Sequence, residues 1–227
     1  YEVFFSQAEK LLNAKDRIPY GSIRGKHIYN FWQDAEHVRG IIRRTTPESY
    51  RLAEPEWETV LDIDALAKAE NENWVYKGIS WLTPNYKLCL VKLSRGGTDA
   101  SEHREFDTTA KRFVEDGFVL PEAKSGVAWL DSDTLLVGTN WGEGSLTESG
   151  YPRVAKLWKR GTSLAEAKTI FEGRPEDIGI WPRVMNFGEE TLALVDQSLT
   201  FFTGAYHVLG SDGKLMRLPL QKSADLA

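Results

Sequence analysis

The chain of 227 residues contains 41% hydrophobic and 27% charged residues and has a formal net charge of −5, an ordinary balance for a globular protein. Its basic residues are scattered along the sequence, which argues against nucleic acid or an anionic membrane as a partner. No apolar run approaches the roughly 20 residues of a membrane span, and no signal-peptide pattern opens the chain.

A short helix is predicted first, over "YEVFFSQAEKLLNAKD", because its apolar residues recur at intervals of three and four. Two further helical candidates are "PESYRLAEPEW" (47–57) and "DALAKAENE" (64–72). The rest of the chain alternates between β-prone runs and turn residues. The predicted strands are 26–32, 38–46, 57–64, 74–82, 86–94, 102–108, 111–115, 125–130, 134–140, 153–160, 167–173, 181–187, 191–197, 199–210 and 214–220.

These strands form a weak repeat of four strands over about 50 residues, which is typical of β-propeller blades. Its second strands are centred near Tyr29, Leu90, Leu136 and Leu194. The fold class is therefore predicted as all-β, a partial propeller of about four blades, rather than a sandwich or barrel. The expected boundaries are an N-terminal helix and linker (1–19), a propeller part (20–220) and a tail (221–227). The expected blades are 20–66, 74–116, 120–173 and 180–220.

The segment "GVAWLDSDTLLVGTNW" (126–141) is read as the first hairpin of the third blade. Trp129 is expected to pack between blades, and Asp131 with Asp133 to make the turn. Cys89, the single cysteine, excludes an intrachain disulfide and is expected to pack as a small hydrophobe. This cysteine use favours a cytoplasmic location and leaves the periplasm open. The first residue, Tyr1, and the loop-like ending "QKSADLA" predict a piece of a longer polypeptide.

Three long segments resemble the bacterial branch of the prolyl oligopeptidase family. They are "HVRGIIRRTTPESYRLAEPEWETVLDIDALAKAENENWVYKG" (37–78), "LSRGGTDASEHREFD" (93–107) and "FVEDGFVLPEAKSGVAWLDSDTLLVGTNWGEGSLTESGYPRVAKLWKRGTSLAEA" (113–167). Family members combine an α/β-hydrolase domain with a seven-bladed propeller. The similarity covers about residues 16–220 and lies within the propeller part.

The family's Gly-x-Ser-x-Gly nucleophile elbow has no counterpart in this sequence. The nearest matches are "GEGSLT", "GTSLA" and "GISWL", which lack the second glycine. The resemblance therefore implies that the catalytic domain is absent and that no residue here is catalytic.

Two acidic patterns in the sequence offer alternative sites. In "SEHREFD", Ser101, His103, Glu105 and Asp107 share one face of a strand, where a metal would find ligands. The preferred interpretation is the solvated face of an edge strand, with no metal and no cofactor. The aspartate pairs Asp62–Asp64 and Asp131–Asp133 resemble glycosidase carboxylates, but turns and strand ends explain them. The four histidines, His27, His37, His103 and His207, are too dispersed in sequence to indicate a triad.

The loop "GTNWGEGSLTESGYPR" (138–153) is the candidate binding segment, expected to be mobile and to face substrate or the peptidase domain. Its candidate contacts are Trp141, Tyr151 and Arg153. An ordinary connection between strands remains the alternative. Arg153 and Arg183, in the repeated "YPRV" and "WPRV", are expected to pair with acidic residues at blade junctions.

The resemblance implies the substrate-gating propeller of a serine peptidase that cleaves short peptides after proline. The implied partners are the missing α/β-hydrolase domain of the same polypeptide and short peptides. The alternative is a free-standing propeller that acts as a protein-interaction scaffold. Because half a ring exposes two blade faces, the fragment is also expected to self-associate.

Overall fold

The computed structural model describes residues 1–12, 18–187 and 190–224, and antiparallel sheets make up most of it. Four sheets follow one another along the chain, each built from strands that are consecutive in sequence. The structure is therefore a partial β-propeller of four blades, which confirms the predicted fold class.

The blades are defined by their strands as follows. Blade 1 contains β1 (Ser22–Arg24), β2 (His27–Trp32), β3 (Ile41–Thr45) and β4 (Glu58–Asp62). Blade 2 contains β5 (Trp74–Trp81), β6 (Leu88–Arg95), β7 (Ser101–Asp107), β8 (Arg112–Phe113) and β9 (Val119–Ala123). Blade 3 contains β10 (Gly126–Asp131), β11 (Thr134–Gly138), β12 (Val154–Lys159) and β13 (Lys168–Glu172). Blade 4 contains β14 (Gly179–Phe187), β15 (Glu190–Thr200), β16 (Thr203–Leu209) and β17 (Leu215–Arg217).

Three strand details differ from the sequence prediction. Strand β1 was not predicted, because its three residues are too few to produce an alternating pattern. Strand β9 pairs with β7, so residues 120–123 belong to blade 2 and not to blade 3 as expected. The run 199–210 is broken by a turn at Phe201 and Phe202, because β15 and β16 form a hairpin there.

The helices are short and lie outside the sheets. Helix α1 (Glu2–Leu12) is exposed along its described side chains, and residues 13–16 of the predicted helix lie outside the described residues. Helix α2 (Pro47–Tyr50) begins after the N-cap Thr46 and is much shorter than the predicted 47–57. Helix α3 (Ile63–Glu70) begins after the N-cap Asp62. No helix among the described residues has both the length and the apolar character to cross a bilayer.

The second strands of blades 2 and 3 are buried on both faces, which explains their nearly continuous apolar sequences. In β6, Cys89 and Val91 pack towards blade 1, whereas Leu90 packs towards blade 3. In β11, Leu135 packs towards blade 2 and Leu136 packs towards blade 4. Alternate side chains of one strand therefore contribute to two successive interfaces.

Blades 3 and 4 approach each other closely because glycines lie at their contact. A Cβ on Gly126 would stand 2.9 Å from Pro182 Cδ, and one on Gly138 would stand 2.8 Å from Ile180 Cδ1. Such distances leave little room for a side chain, so these glycines permit the close packing of β10 and β11 against β14.

The hairpin at 126–141 has the predicted position. Trp129 is buried among residues of blades 2 and 3, and its Nε1 donates to the Ser80 carbonyl at 3.0 Å. The Asp133 N–H donates to Asp131 Oδ1 at 2.8 Å within the turn. Both expectations for this segment are confirmed.

The end of the propeller at which the inner strands β1, β5, β10 and β14 begin is named the upper end here. Antiparallel pairing places the loops 33–40, 96–100 and 139–153 and the turn 201–202 at the same end. Contacts between blades agree with this alignment, since Arg39 Nη1 donates to Asn73 Oδ1 and Thr147 Oγ1 donates to the Ile178 carbonyl.

Candidate functional site

The loop 139–153 connects β11 to β12 at the upper end and is held by many hydrogen bonds. The Thr147 N–H donates to the Tyr151 carbonyl at 2.8 Å, and Leu146 and Pro152 form an isolated β-bridge. Ser145 is buried, accepts from the Trp141 N–H and donates to the Gly142 carbonyl. The loop was expected to be mobile, but hydrogen bonds between its own residues hold it in a defined conformation.

Trp141 and Arg153 are occupied within blade 3. Trp141 Nε1 donates to the Val154 carbonyl at 2.9 Å, and Lys156 Nζ lies 4.5 Å from the centre of the indole ring. Arg153 Nε donates to the Gly144 carbonyl, and its Nη1 donates to the Glu172 carboxylate and the Gly173 carbonyl, both at 2.8 Å. The expected acidic partner of Arg153 exists, although it belongs to the same blade. These two side chains fix the shape of the loop.

Tyr151 has a different environment, because its ring lies between two other segments at the upper end. It packs edge-on against Trp181 of blade 4, with ring centres 5.4 Å apart, and Lys124 Nζ lies 4.5 Å from its centre. All three side chains are half-buried. Lys124 has no carboxylate within ion-pair distance in the described part of the chain.

The cluster of Lys124, Tyr151 and Trp181 joins the start of blade 3, the loop of blade 3 and the start of blade 4. Two aromatic rings and an ammonium group with no carboxylate at ion-pair distance among the described residues offer stacking and charge to a peptide or to a neighbouring domain. Sequence reasoning found Tyr151 and missed the other two members. Lys124 belongs to no sequence motif that would indicate a binding role, and Trp181 was noted only as part of the "WPRV" repeat.

The serines of the three motif near misses have structural roles. Ser145 closes the loop described above, and Ser163 caps the 3-10 turn Leu164–Glu166. Ser80 Oγ lies 3.5 Å from the Val127 carbonyl, between β5 and β10. No serine of the described residues is hydrogen-bonded to a histidine.

Strand β7 contradicts the expectation of a solvated edge. It pairs with β6 on one side and with β8 and β9 on the other, and Ser101, His103 and Glu105 are buried against blade 3. Glu105 accepts two hydrogen bonds of 2.9 Å from Arg160 and one from the Phe118 N–H. Asp107 is half-buried and accepts from the Thr109 and Ala110 N–H groups in the turn that follows.

His103 lies 4% exposed beside Lys92, its pair in the register of β6 and β7. Neither of its ring nitrogens has a hydrogen-bond partner among the described residues, and neither does Ser101 Oγ. Burial, with a smaller effect of Lys92, lowers the pKa of His103 to about 4. The ring is therefore neutral at ordinary pH.

The remaining histidines lie apart from His103 and from one another. His37 Nδ1 contacts Asp34 Oδ1 at 3.0 Å in a loop of blade 1, and the ring of His27 lies edge-on to Tyr29. His207 packs against Phe171. Burial lowers the pKa of both His27 and His207.

The aspartate pairs have structural roles. Asp62 accepts from the Ala65 N–H as the N-cap of α3, and Asp64 accepts from the N–H groups of Arg39 and Gly40. The described residues hold no group of three or more histidine, cysteine or acidic side chains arranged for a metal. Cys89 is fully buried, and burial raises the pKa of its thiol.

The other predicted arginine pair also exists in the structure. Arg183 Nη1 lies 4.0 Å from Asp196 Oδ2, between the neighbouring strands β14 and β15 of blade 4. As for Arg153, the acidic partner belongs to the same blade.

Comparison with known proteins identifies the family to which the chain is related. Residues 4–184 match the model for the N-terminal β-propeller domain of prolyl oligopeptidase. An uncharacterized peptidase of Sinorhizobium fredii is 49% identical over 179 residues, covering 78% of this chain and 25% of the relative. An uncharacterized peptidase of Rickettsia prowazekii is 31% identical over 188 residues, covering 79% of this chain and 26% of the relative. The chain thus spans about a quarter of the length of these relatives.

Solved structures show the same fold. A post-proline cleaving enzyme from Rickettsia typhi superposes with a TM-score of 0.91 at 28% identity, covering 98% of this chain and 34% of that one. Oligopeptidase B from Leishmania major superposes with a TM-score of 0.69 at 13% identity, covering 98% of this chain and 31% of that one. The second likeness shows the fold alone.

Proposed function

The chain belongs to the prolyl oligopeptidase family, of which it carries part of the N-terminal β-propeller domain, and we propose that it belongs to the substrate-gating propeller of a serine peptidase. The peptidase would hydrolyse short peptides after proline. The observation that carries this proposal is the close superposition on one third of a post-proline cleaving enzyme.

In this proposal the described residues form a rigid wall that restricts access, and the catalytic groups belong to polypeptide outside residues 1–227. Acyl transfer requires a serine oxygen that attacks the peptide carbonyl while a neighbouring base takes its proton. The structural roles of Ser80, Ser145 and Ser163 support a non-catalytic propeller, because each hydroxyl contacts a backbone group of the propeller.

Gating is a steric function and needs no reactive group. Blades that pack rigidly on one another form a wall that admits a flexible peptide and excludes a folded protein. The double-sided packing of β6 and β11 supports such a wall, since neither strand can move without disturbing two interfaces.

We propose that the upper end faces the peptidase part. Residues 18–21 lead into β1 there, where the Tyr20 carbonyl accepts from Asn30 Nδ2. The cluster of Lys124, Tyr151 and Trp181 lies at the same end. A peptide crossing this end would meet the Lys124 ammonium group and two aromatic rings before it reached the reacting groups.

The test is turnover of a fluorogenic Gly-Pro peptide, with and without a serine-directed phosphonate. Residues 1–227 alone should give no turnover. The longer polypeptide should carry a Gly-x-Ser-x-Gly elbow and give turnover that the phosphonate abolishes. Phosphonate-sensitive turnover by residues 1–227 would contradict the proposal. A reading frame that ends near Ala227 would instead favour the interaction scaffold.

A further inference from the structure

The turn between β15 and β16 carries the most exposed pair of adjacent aromatic residues in the described chain. Phe201 is 86% exposed and Phe202 is 89% exposed. Two-residue hairpin turns normally contain glycine, asparagine or aspartate, which suit both the backbone and water. Two phenylalanines at such a turn need another explanation, because exposed apolar groups of this kind mark contact sites.

The turn is rigidly held and projects beyond the sheet. The hydroxyls of Thr200 and Thr203 are 2.8 Å apart across the hairpin, and the Phe202 N–H donates to Thr200 Oγ1. Strand β15 is eleven residues long. Its Ser198 pairs with Gly179, the first residue of β14, so the two phenylalanines extend past the start of the inner strand. They therefore protrude from the upper end.

Both ends of the described β structure reach this upper end. Residues 18–21 enter β1 there. Beyond β17, the chain returns along β16, with the Leu218 N–H donating to the Tyr206 carbonyl and the Gly204 N–H donating to the Lys222 carbonyl. Gly204 lies two residues from Phe202, so the chain leaves blade 4 beside the turn. Polypeptide that continues from Lys222 is therefore held near these phenylalanines.

We propose that Phe201 and Phe202 are an anchor that docks into an apolar recess of the peptidase part of the same polypeptide. This inference rests on the proposed function, which supplies that part. Covalent attachment gives the partner an effective concentration in the millimolar range, so a contact of two side chains suffices. A dimer of separate chains would need roughly 800 Å² on each partner, far more than this turn offers.

A membrane surface is a poorer occupant for this turn. Anionic lipid attracts clusters of basic residues near the apolar group. The residues flanking the phenylalanines are Thr200, Thr203 and Gly204, and Lys222 is the nearest cation along the hydrogen-bonded tail. A docking recess in protein requires no such charge.

The experiment replaces Phe202 with the photoreactive p-benzoylphenylalanine in the longer polypeptide that contains residues 1–227. The substitution keeps an aromatic ring at an exposed position, so folding is preserved. Phe187 is the matched control, because it is 57% exposed and ends β14 at the opposite end of blade 4. After irradiation, cross-linked peptides are identified by mass spectrometry. The same preparation is labelled with a serine-directed phosphonate.

The expected result is an intramolecular cross-link from position 202 to the peptidase part, the part that contains the serine labelled by the phosphonate, which the control at position 187 does not give. A cross-link to further propeller blades of the same polypeptide overturns the proposal. A cross-link to a second copy, visible as a species of twice the mass, overturns the proposal. Cross-linking of position 202 to lipid in the presence of anionic vesicles also overturns the proposal. So does a cross-linking yield at position 202 that is no higher than the yield at position 187. Absent phosphonate labelling overturns the proposed function itself, and this outcome is distinguishable from a failed cross-link.

Discussion

Acid should destabilise the protein through His103, the buried histidine between blades 2 and 3. Its ring nitrogens lack partners among the described residues, and Lys92 faces it from β6. Protonation would therefore place a second cation in a desolvated site. Because the folded-state pKa is about 4 and the ordinary value is 6.5, the unfolded chain binds the proton more readily. Stability is full above pH 6.5 and falls as the pH drops towards 4.

The size of the effect follows from the two pKa values. Full protonation of the folded ring costs about 3 kcal/mol at about 1.4 kcal/mol per pKa unit, and about 2 kcal/mol of this acts at about pH 5. The variant His103→Gln removes the titration and keeps a neutral polar side chain. Between about pH 7.5 and about pH 5, the parent should therefore lose about 2 kcal/mol more stability than the variant.

The assay is urea unfolding of both proteins at the two pH values, followed by tryptophan fluorescence. Comparing the variants removes the contributions of the carboxylates, which both proteins share. His27→Gln is the control, and it should change the pH dependence less, because His27 is only half-buried. If His103→Gln loses as much stability as the parent at low pH, the reasoning is refuted.

Four other outcomes are expected. Arg160→Met should lower the free energy of unfolding by about 3 kcal/mol, because it leaves the Glu105 carboxylate buried without its partner. Adding Glu105→Gln should recover most of this lost stability, as measured by urea unfolding. The Cys89 thiol should react with a disulfide reagent only after unfolding; fast reaction of the native protein would contradict its burial. In the longer polypeptide, Tyr151→Ala should raise KM for peptides about fivefold at unchanged kcat, because an aromatic contact is worth about 1 kcal/mol; an unchanged KM in steady-state assays would exclude a binding role. Residues 1–227 alone should form dimers or larger species in light scattering, and a monodisperse monomer would be the contrary result.

Much of the fold was predictable because it depends on local patterns. Leu90 and Leu136 lie in continuous apolar runs, which marked the second strands of two blades and their burial on both faces. Asp131 and Asp133 indicated a hairpin turn, and Trp129 beside them was correctly predicted to lie at an interface between blades. Each of these features depends on neighbours within a few positions along the chain. The family resemblance was likewise carried by long continuous segments.

The environment of strand β7 was not predictable from its own residues. Ser101, His103 and Glu105 alternate with polar neighbours and read as a solvated face. Glu105 is buried because Arg160, 55 positions later in the sequence, reaches it across the interface between blades. A polar side chain enters the interior only when a distant partner offsets its desolvation, and local sequence does not reveal that partner.

The sequence by itself determined the four-strand repeat, the apolar second strands and the absence of a nucleophile motif, because these are properties of consecutive residues. Only the tertiary structure decided which polar residues are buried, that Lys124 and Trp181 join Tyr151, and that Phe201 and Phe202 protrude beside the departing chain. These features arise where separate blades meet or where strand register places a turn. Their energies depend on contacts between residues that the chain brings together only after it folds.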